Sequence, residues 1–218
     1  MDHDEAVADA AARETDETVD PALLRDVFGE RADLAVRYHD LLATTGLEWG
    51  LLGPREAERL WSRHVLNSAV LAPLMPPGAS VIDVGSGAGL PGIPLALARV
   101  DLRVTMLDSL LRRVSFLQLA VDELGLGGRV DVVRARAEEW HVQYDVVVSR
   151  AVAPLRRLIQ WCEPLMAGPM MALKGEGAER EVQEAGAVLR QLHLEARVLT
   201  LPEGATEPSA TVVVVKRR

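Results

Sequence analysis

One cysteine, two phenylalanines, two tyrosines and four tryptophans are spread over 218 residues. Cys162 alone can neither close an internal disulfide nor supply a multi-cysteine metal site, and its apolar helical surroundings read as core. The five histidines, His3, His39, His64, His141 and His193, include no pair at helical ligand spacing, so no metal is expected. So few aromatics argue against a platform that stacks several bases. No apolar run approaches the length of a membrane span, and the acidic start MDHDEAVADAAARETDETVD lacks the basic-then-apolar order of a secretory leader. A cytoplasmic protein with no membrane contact is expected.

The formal charge is −8, but it is not evenly distributed. Residues 1–20 hold eight acids against one arginine, which leaves 24 acids and 23 bases in residues 21–218. The first segment therefore reads as a solvated, self-repelling, disordered tail. The nearly neutral body is free to carry a basic face for a nucleic-acid partner.

From residue 21 to 77 the pattern is helical. PALLRDVFGERADLAVRYHDLLATTG puts Leu34, Tyr38, Leu41 and Leu42 on one face before Gly46, and Pro54 opens a second helix through REAERLWSRHVLNSAVLAPLM. Pro76-Pro77-Gly78 then marks a boundary. Beyond it, over residues 78–218, strands SVIDVG, LRVTMLDS, RVDVVRA, YDVVVSRA and MMALKG alternate with amphipathic helices. One of these helices carries the stripe Leu110, Val114, Leu117, Val121, Leu124. LEARVLTL and ATVVVVKRR follow one another with no helix between them and should pair antiparallel. The expected fold is α/β, a doubly wound, mostly parallel seven-stranded sheet with an antiparallel last strand and an N-terminal helical extension.

At the first strand-to-helix turn stands VIDVGSGAGLPG. Gly87, Gly89 and Gly92 satisfy the spacing of a dinucleotide loop, so an NAD-dependent dehydrogenase has to be considered. Asp83 argues against it. If that acid faces the ligand it repels a pyrophosphate and attracts a sulfonium and an ammonium, as in S-adenosyl-L-methionine; otherwise it caps loop backbone. Asp108, at the end of the second strand, can accept ribose hydroxyls or cap the following helix, with Ser109 available for the cap if Asp108 is not. Ala137 and Glu138 fall where a loop can flank an adenine, although Glu138 reads equally well as a surface acid.

Together DVGSGAGLPGIPLALA, LDSLLRRVSFL, RAEEW, VVSRAVAPL and ALKG resemble the RsmG (GidB) family from about Trp61 onward. These are class I, Rossmann-like methyltransferases that make 7-methylguanosine in the 530 loop of 16S ribosomal RNA. The resemblance implies cofactor contacts at Gly85, Leu90, Ala137, Glu138 and Arg150, with Asp108 on the ribose. The family's Arg-His-Ile-Leu-Asp-Ser run survives as Arg63-His64-Val65-Leu66-Asn67-Ser68, whereas its Trp-Asn…Asn-Leu-Thr segment is replaced by LATTGLEWGLLG.

That activity is consistent with what the chain lacks. No Asp/Asn-Pro-Pro-aromatic loop follows the fourth strand, where Ser149-Arg150-Ala151-Val152-Ala153-Pro154 stands instead, so an exocyclic amine has no orienting acceptors. No cysteine is placed to attack a pyrimidine. Guanine N7 presents a free lone pair, so transfer needs alignment rather than proton removal. Arg150, Lys174, Arg63 and His64 are the candidates for holding RNA, each of them alternatively a paired charge or, for His64, a buried hydrogen-bonded ring. Arg112, Arg113, Arg156 and Arg157 can meet phosphates or simply be solvated. The expected partner is 16S rRNA, folded and plausibly within a small-subunit particle, with no protein partner. A noncatalytic module that binds adenosylmethionine and RNA is the remaining alternative.

Overall fold

The computed structural model describes residues 19–201 and 209–218. The expected acidic tail lies outside the described residues except for Val19 and Asp20. Asp20 is a helix cap, its carboxylate accepting from the Ala22 amide at 2.8 Å. It opens α1 (Pro21–Phe28), in which proline fills the first turn. Gly29, at φ +59°, breaks the expected continuous helix before α2 (Ala32–Leu41). Tyr38 and Leu42 are fully buried as the pattern predicts, while Leu34 and Leu41 are only half-buried.

The second expected helix is irregular. A 3₁₀ segment (Pro54–Arg59) runs into a wide π-type turn (Leu60–Leu66) and one α turn (Asn67–Ala69). The wide winding brings Leu60, Trp61, His64, Val65 and Leu66 toward one side, and all five are buried.

The strands are β1 (Ser80–Val84), β2 (Arg103–Asp108), β3 (Val130–Arg134), β4 (Val146–Arg150), β5 (Met170–Lys174), β6 (Leu194–Leu201) and β7 (Ala210–Arg217). They form one seven-stranded sheet in the order β3-β2-β1-β4-β5-β7-β6. The first five are parallel, with Ile82 opposite Thr105 and Val147; β7 runs antiparallel to both β5 and β6. Helices α3 (Gly92–Ala98), α4 (Leu111–Glu123) and α5 (Leu155–Cys162) make the crossovers, and α6 (Ala178–Glu184) and α7 (Gly186–Gln191) precede β6. Central β1 and β4 are buried almost end to end, as strands covered on both faces must be. Leu110 does not belong to the apolar stripe of α4; it precedes the helix and is half-exposed, and Phe116, Leu117, Ala120 and Val121 form the buried face. Among the described residues no helix is long and apolar enough to cross a membrane.

The sheet reverses direction of progression between β1 and β4, and in open α/β sheets the ligand crevice lies at the carboxyl ends of those strands. The N-terminal helices pack close to that place. Arg31 donates to the Leu97 carbonyl at 2.7 Å, Arg37 to the Glu123 carbonyl, and the Tyr38 hydroxyl to the Ala88 carbonyl at 2.8 Å, inside the bend after β1. Leu24, Phe28 and Tyr38 share one apolar cluster with Leu95, Phe116 and Val148. Fully burying each large side chain there contributes about 1.5–3 kcal/mol.

Replacing Tyr38 with phenylalanine keeps the ring and leaves the buried Ala88 carbonyl without its donor. The expected loss is about 1–3 kcal/mol of unfolding free energy, read from urea unfolding curves of the two proteins; an unchanged midpoint would show that the bend does not depend on this bond.

Candidate functional site

The bend after β1 is fixed from four directions. The Gly85 and Ser86 amides donate to the Leu107 carbonyl at 2.8 and 3.2 Å, tying the turn to β2. The Gly87 amide donates to the Asp108 carboxylate at 3.1 Å, and the Ser86 hydroxyl to the Asp83 carbonyl at 2.8 Å. From behind, the Gly92 amide donates to the Asp83 carboxylate at 2.9 Å. Gly85 is demanded by space as well as by dihedral angle, and Gly92 by space alone. Gly85 has φ +73°, and a methyl group on it would fall 2.5 Å from Val152 Cγ2; one on Gly92 would fall 2.9 Å from Asp83 Oδ2 and 3.0 Å from Met106 Cγ.

Asp83 therefore faces the interior. It is completely buried and does not line the cavity in front of the bend; Oδ2 holds Gly92, and Oδ1 is the buried side-chain oxygen left without a hydrogen-bond partner among the described residues. The expectation that its carboxylate looks at a ligand gives way to the alternative that it caps loop backbone, because β1 alternation points residue 83 toward α3. Burial pushes its pKa up to about 7, despite the Gly92 hydrogen bond and the nearby Ser86 hydroxyl, both of which favour the ionised form.

In front of the bend lies a cavity of about 260 Å³ that brings together Gly85, Asp108, Ala137 and Glu138, with Val152 and Trp161 also on its wall. Asp108 holds the backbone that leads into α4 and also borders the cavity. Oδ1 accepts from the Leu110 amide at 3.0 Å, and Oδ2 accepts from Gly87 and from Arg113 at 3.3 Å, while the carboxylate stands on the cavity wall. Ser109 does not cap α4; the cap position is Leu110. Gly89 and Leu90 are buried behind the bend rather than on this wall. Arg157 lies over the Trp161 ring, 4.8 Å from its centroid.

A second cavity of about 630 Å³ opens beside the first, past the ends of β4 and β5. Arg63, Arg150 and Lys174, three of the four candidates for holding RNA, line it, whereas His64 does not, and two of these cations are already engaged. The Arg150 guanidinium donates to the carbonyls of His64 at 3.1 Å and Arg63 at 2.8 Å, to the Ser68 hydroxyl at 3.1 Å, and to His64 Nδ1 at 2.8 Å. Because a guanidinium only donates, His64 Nδ1 is an acceptor, so the ring proton sits on Nε2, 2.6 Å from the Glu56 carboxylate. Burial, reinforced by the neighbouring Arg150 charge, pushes His64 down to about 4, so the ring is neutral at pH 7. Lys174 donates to the Ala153 carbonyl and to Glu181, both at 2.8 Å, and its side chain is almost fully buried. Arg63 keeps a half-exposed side chain with a loose 3.4 Å contact to Glu56.

Glu56 and Glu181, which no motif in the sequence singles out, set this geometry together with Tyr38 and Val152. Glu181 accepts from both Lys174 and the Leu155 amide, the latter at 2.6 Å; although partial burial opposes it, these bonds hold its carboxyl below the ordinary glutamate value. Between Arg150 and Pro154 the chain passes through Ala151 at φ +53°, a conformation costly for a residue with a side chain and common at functional sites.

The Asp83 carboxyl has a pH signature. Its folded pKa lies above the unfolded value, so the folded state binds more protons between about pH 4 and 7 and the stability it contributes is lost as pH rises through about 7. Relative to Asp83→Asn, which keeps an acceptor for Gly92, the native chain should lose unfolding free energy as pH rises across that window. Parallel urea titrations at successive pH values measure the difference; a constant gap between the two proteins would show that Asp83 is ionised throughout.

Comparison with known proteins agrees with this geometry. The model of the GidB family, rRNA small subunit methyltransferase G, matches residues 31–207. Ribosomal RNA small subunit methyltransferase G of Mycobacterium marinum is 54% identical over 200 residues, covering 88% of this chain and 86% of that protein. Its counterpart in Streptomyces avermitilis is 52% identical over 202 residues, covering 90% and 84%. Among solved structures, M. jannaschii TYW2 in complex with AdoMet superposes with a TM-score of 0.56 at 16% identity, covering 74% of this chain and 80% of that one. The B. subtilis tRNA methyltransferase TrmK superposes at 0.55 and 14%, covering 72% and 68%. Such structural likeness at low identity speaks for the fold, whereas a family match extending from just before α2 to beyond β6, with relatives more than half identical, speaks for descent. This chain belongs to the GidB family, the rRNA small subunit methyltransferases G.

Proposed function

We propose that the chain transfers the methyl group of S-adenosyl-L-methionine directly to N7 of a guanosine in the 530 loop of 16S ribosomal RNA, in the cytoplasm and within a small-subunit particle, with no residue acting as general base. Family membership makes it a methyltransferase and displaces the dehydrogenase and noncatalytic readings. The observation that carries the rest is the pair of adjoining cavities at the β1–β4 switch. The first is bordered by the glycine bend, Asp108 and Glu138; the second by Arg63, Arg150, Lys174 and Arg180, and its two carboxylates, Glu181 and Glu184, are paired with Lys174 and Arg180.

The residues present fit the cofactor. Asp108 keeps a lone pair on Oδ1 beyond its Leu110 bond, suited to a ribose hydroxyl. Ala137 and Glu138 flank the same cavity where an adenine would lie, and Gly85 lets the methionine portion approach the backbone. When bound, the cofactor supplies an electrophilic methyl on a sulfonium. The buried Asp83 sits close behind the bend, where its field favours that cation without touching it.

The second cavity supports the absence of a base. His64 has both ring nitrogens engaged, and Glu181 is tied to Lys174 and to the start of α5. Arg150 and Lys174 thus shape the cavity wall more than they offer free charge, and the half-exposed Arg63 is the better placed of the three for a phosphate. Holding N7 in line with the methyl is then the whole catalytic task, and positioning of this kind is worth about 7–11 kcal/mol.

Two measurements check this. Small-subunit particles lacking the modification, incubated with the protein and methyl-labelled cofactor, should carry label at guanine N7 when mapped by mass spectrometry; label on an exocyclic amine, or none, would overturn it. At saturating cofactor the single-turnover rate should stay within about twofold from about pH 6 to about 8.5. A log-linear fall toward acid without loss of binding would reveal a base.

A further inference from the structure

Val152 lines both cavities. Its side chain lies against Gly85, since a methyl group on that glycine would sit 2.5 Å from Val152 Cγ2 and 3.0 Å from Cγ1, yet it remains 36% exposed. An apolar side chain left half open between two polar-rimmed cavities has no evident packing purpose. The loop that bears it is, however, fastened at each end. On the β4 side Arg150 makes its four bonds to Arg63, His64 and Ser68. On the α5 side Lys174 holds the Ala153 carbonyl, and Glu181 holds the Leu155 amide. Ala151 takes the left-handed turn between these anchors, and that strain persists because both flanks are pinned.

We propose that Val152 is a positioning residue. Building on the function proposed above, its two methyl groups form the partition between cofactor and guanine, setting the depth at which the base edge stops and keeping water from the line of transfer. The charged groups on either side of the partition are consumed in holding its backbone. A deeper pocket lets the base settle past the reactive alignment, and misplacement of about 1 Å costs on the order of a hundredfold in rate.

Val152→Ala should lower kcat about ten- to a hundredfold while leaving cofactor affinity by calorimetry, KM for the particle and thermal midpoint near those of the native chain. Val152→Thr, which restores the branched shape, should recover most of the rate. In the complex with S-adenosyl-L-methionine carrying a ¹³C-labelled methyl, nuclear Overhauser contacts should join that methyl to the Val152 methyl groups. Unchanged kcat in Val152→Ala, or no such contact in the native complex, would overturn the partition even where the native chain methylates guanine N7. A native chain that shows the contact but puts no label on N7 would instead count against the proposed reaction and leave the partition standing.

Discussion

The Asp83 carboxyl, sealed behind the first strand with one oxygen on the Gly92 amide and the other unpaired, is the constraint from which the site follows. It joins the end of β1 to the start of α3, so the intervening glycines must turn outward and back within a few residues. Their path is then completed by β2 through Leu107 and Asp108, and by the N-terminal helices through Tyr38. A buried carboxyl with an orphaned oxygen is costly, and the usual response is to raise its pKa rather than to stay charged. The bend is thus held by a group close to a change of protonation at neutral pH.

The cations nearest the chemistry contribute mainly through what they restrain. Arg150 and Lys174 end adjacent parallel strands at the switch point, yet the first is bound to carbonyls of the wide-turned segment and the second to Glu181. Desolvated charges of this kind are tolerable only with several partners each, which they have. The N-terminal helical region is therefore an integral wall of the site. The Arg63 and His64 carbonyls of its irregular segment both accept from Arg150, the His64 carbonyl in addition to the Asn67 amide.

The alternation of strands and helices, the antiparallel final pair and the location of the glycine bend were legible in the sequence, because each rests on local periodicity or on a steric demand that only glycine meets. The direction of Asp83 was not legible: one residue of strand phase decides whether it faces a ligand or the core, and the motif is the same either way. Nor was the engagement of Arg150 and Lys174, whose partners lie 86 and 7 residues away and include a glutamate with no motif around it. The helix expected after Pro54 missed its π-type winding for a related reason: apolar residues at 60, 61, 65 and 66 crowd one face only if the turn widens. Asp108 was open to two readings, on a ribose or on the backbone before α4; it makes the backbone bond, and its carboxylate also borders the cavity.

Strand β7 lies between β5 and β6 although it follows both in the chain. During synthesis β5 must wait with one flank unpaired until residues 210–217 emerge, and only then can the neighbour of Lys174 slot in. Assembly order consequently departs from translation order, and the half-built sheet presents an open, valine-hungry edge for that interval.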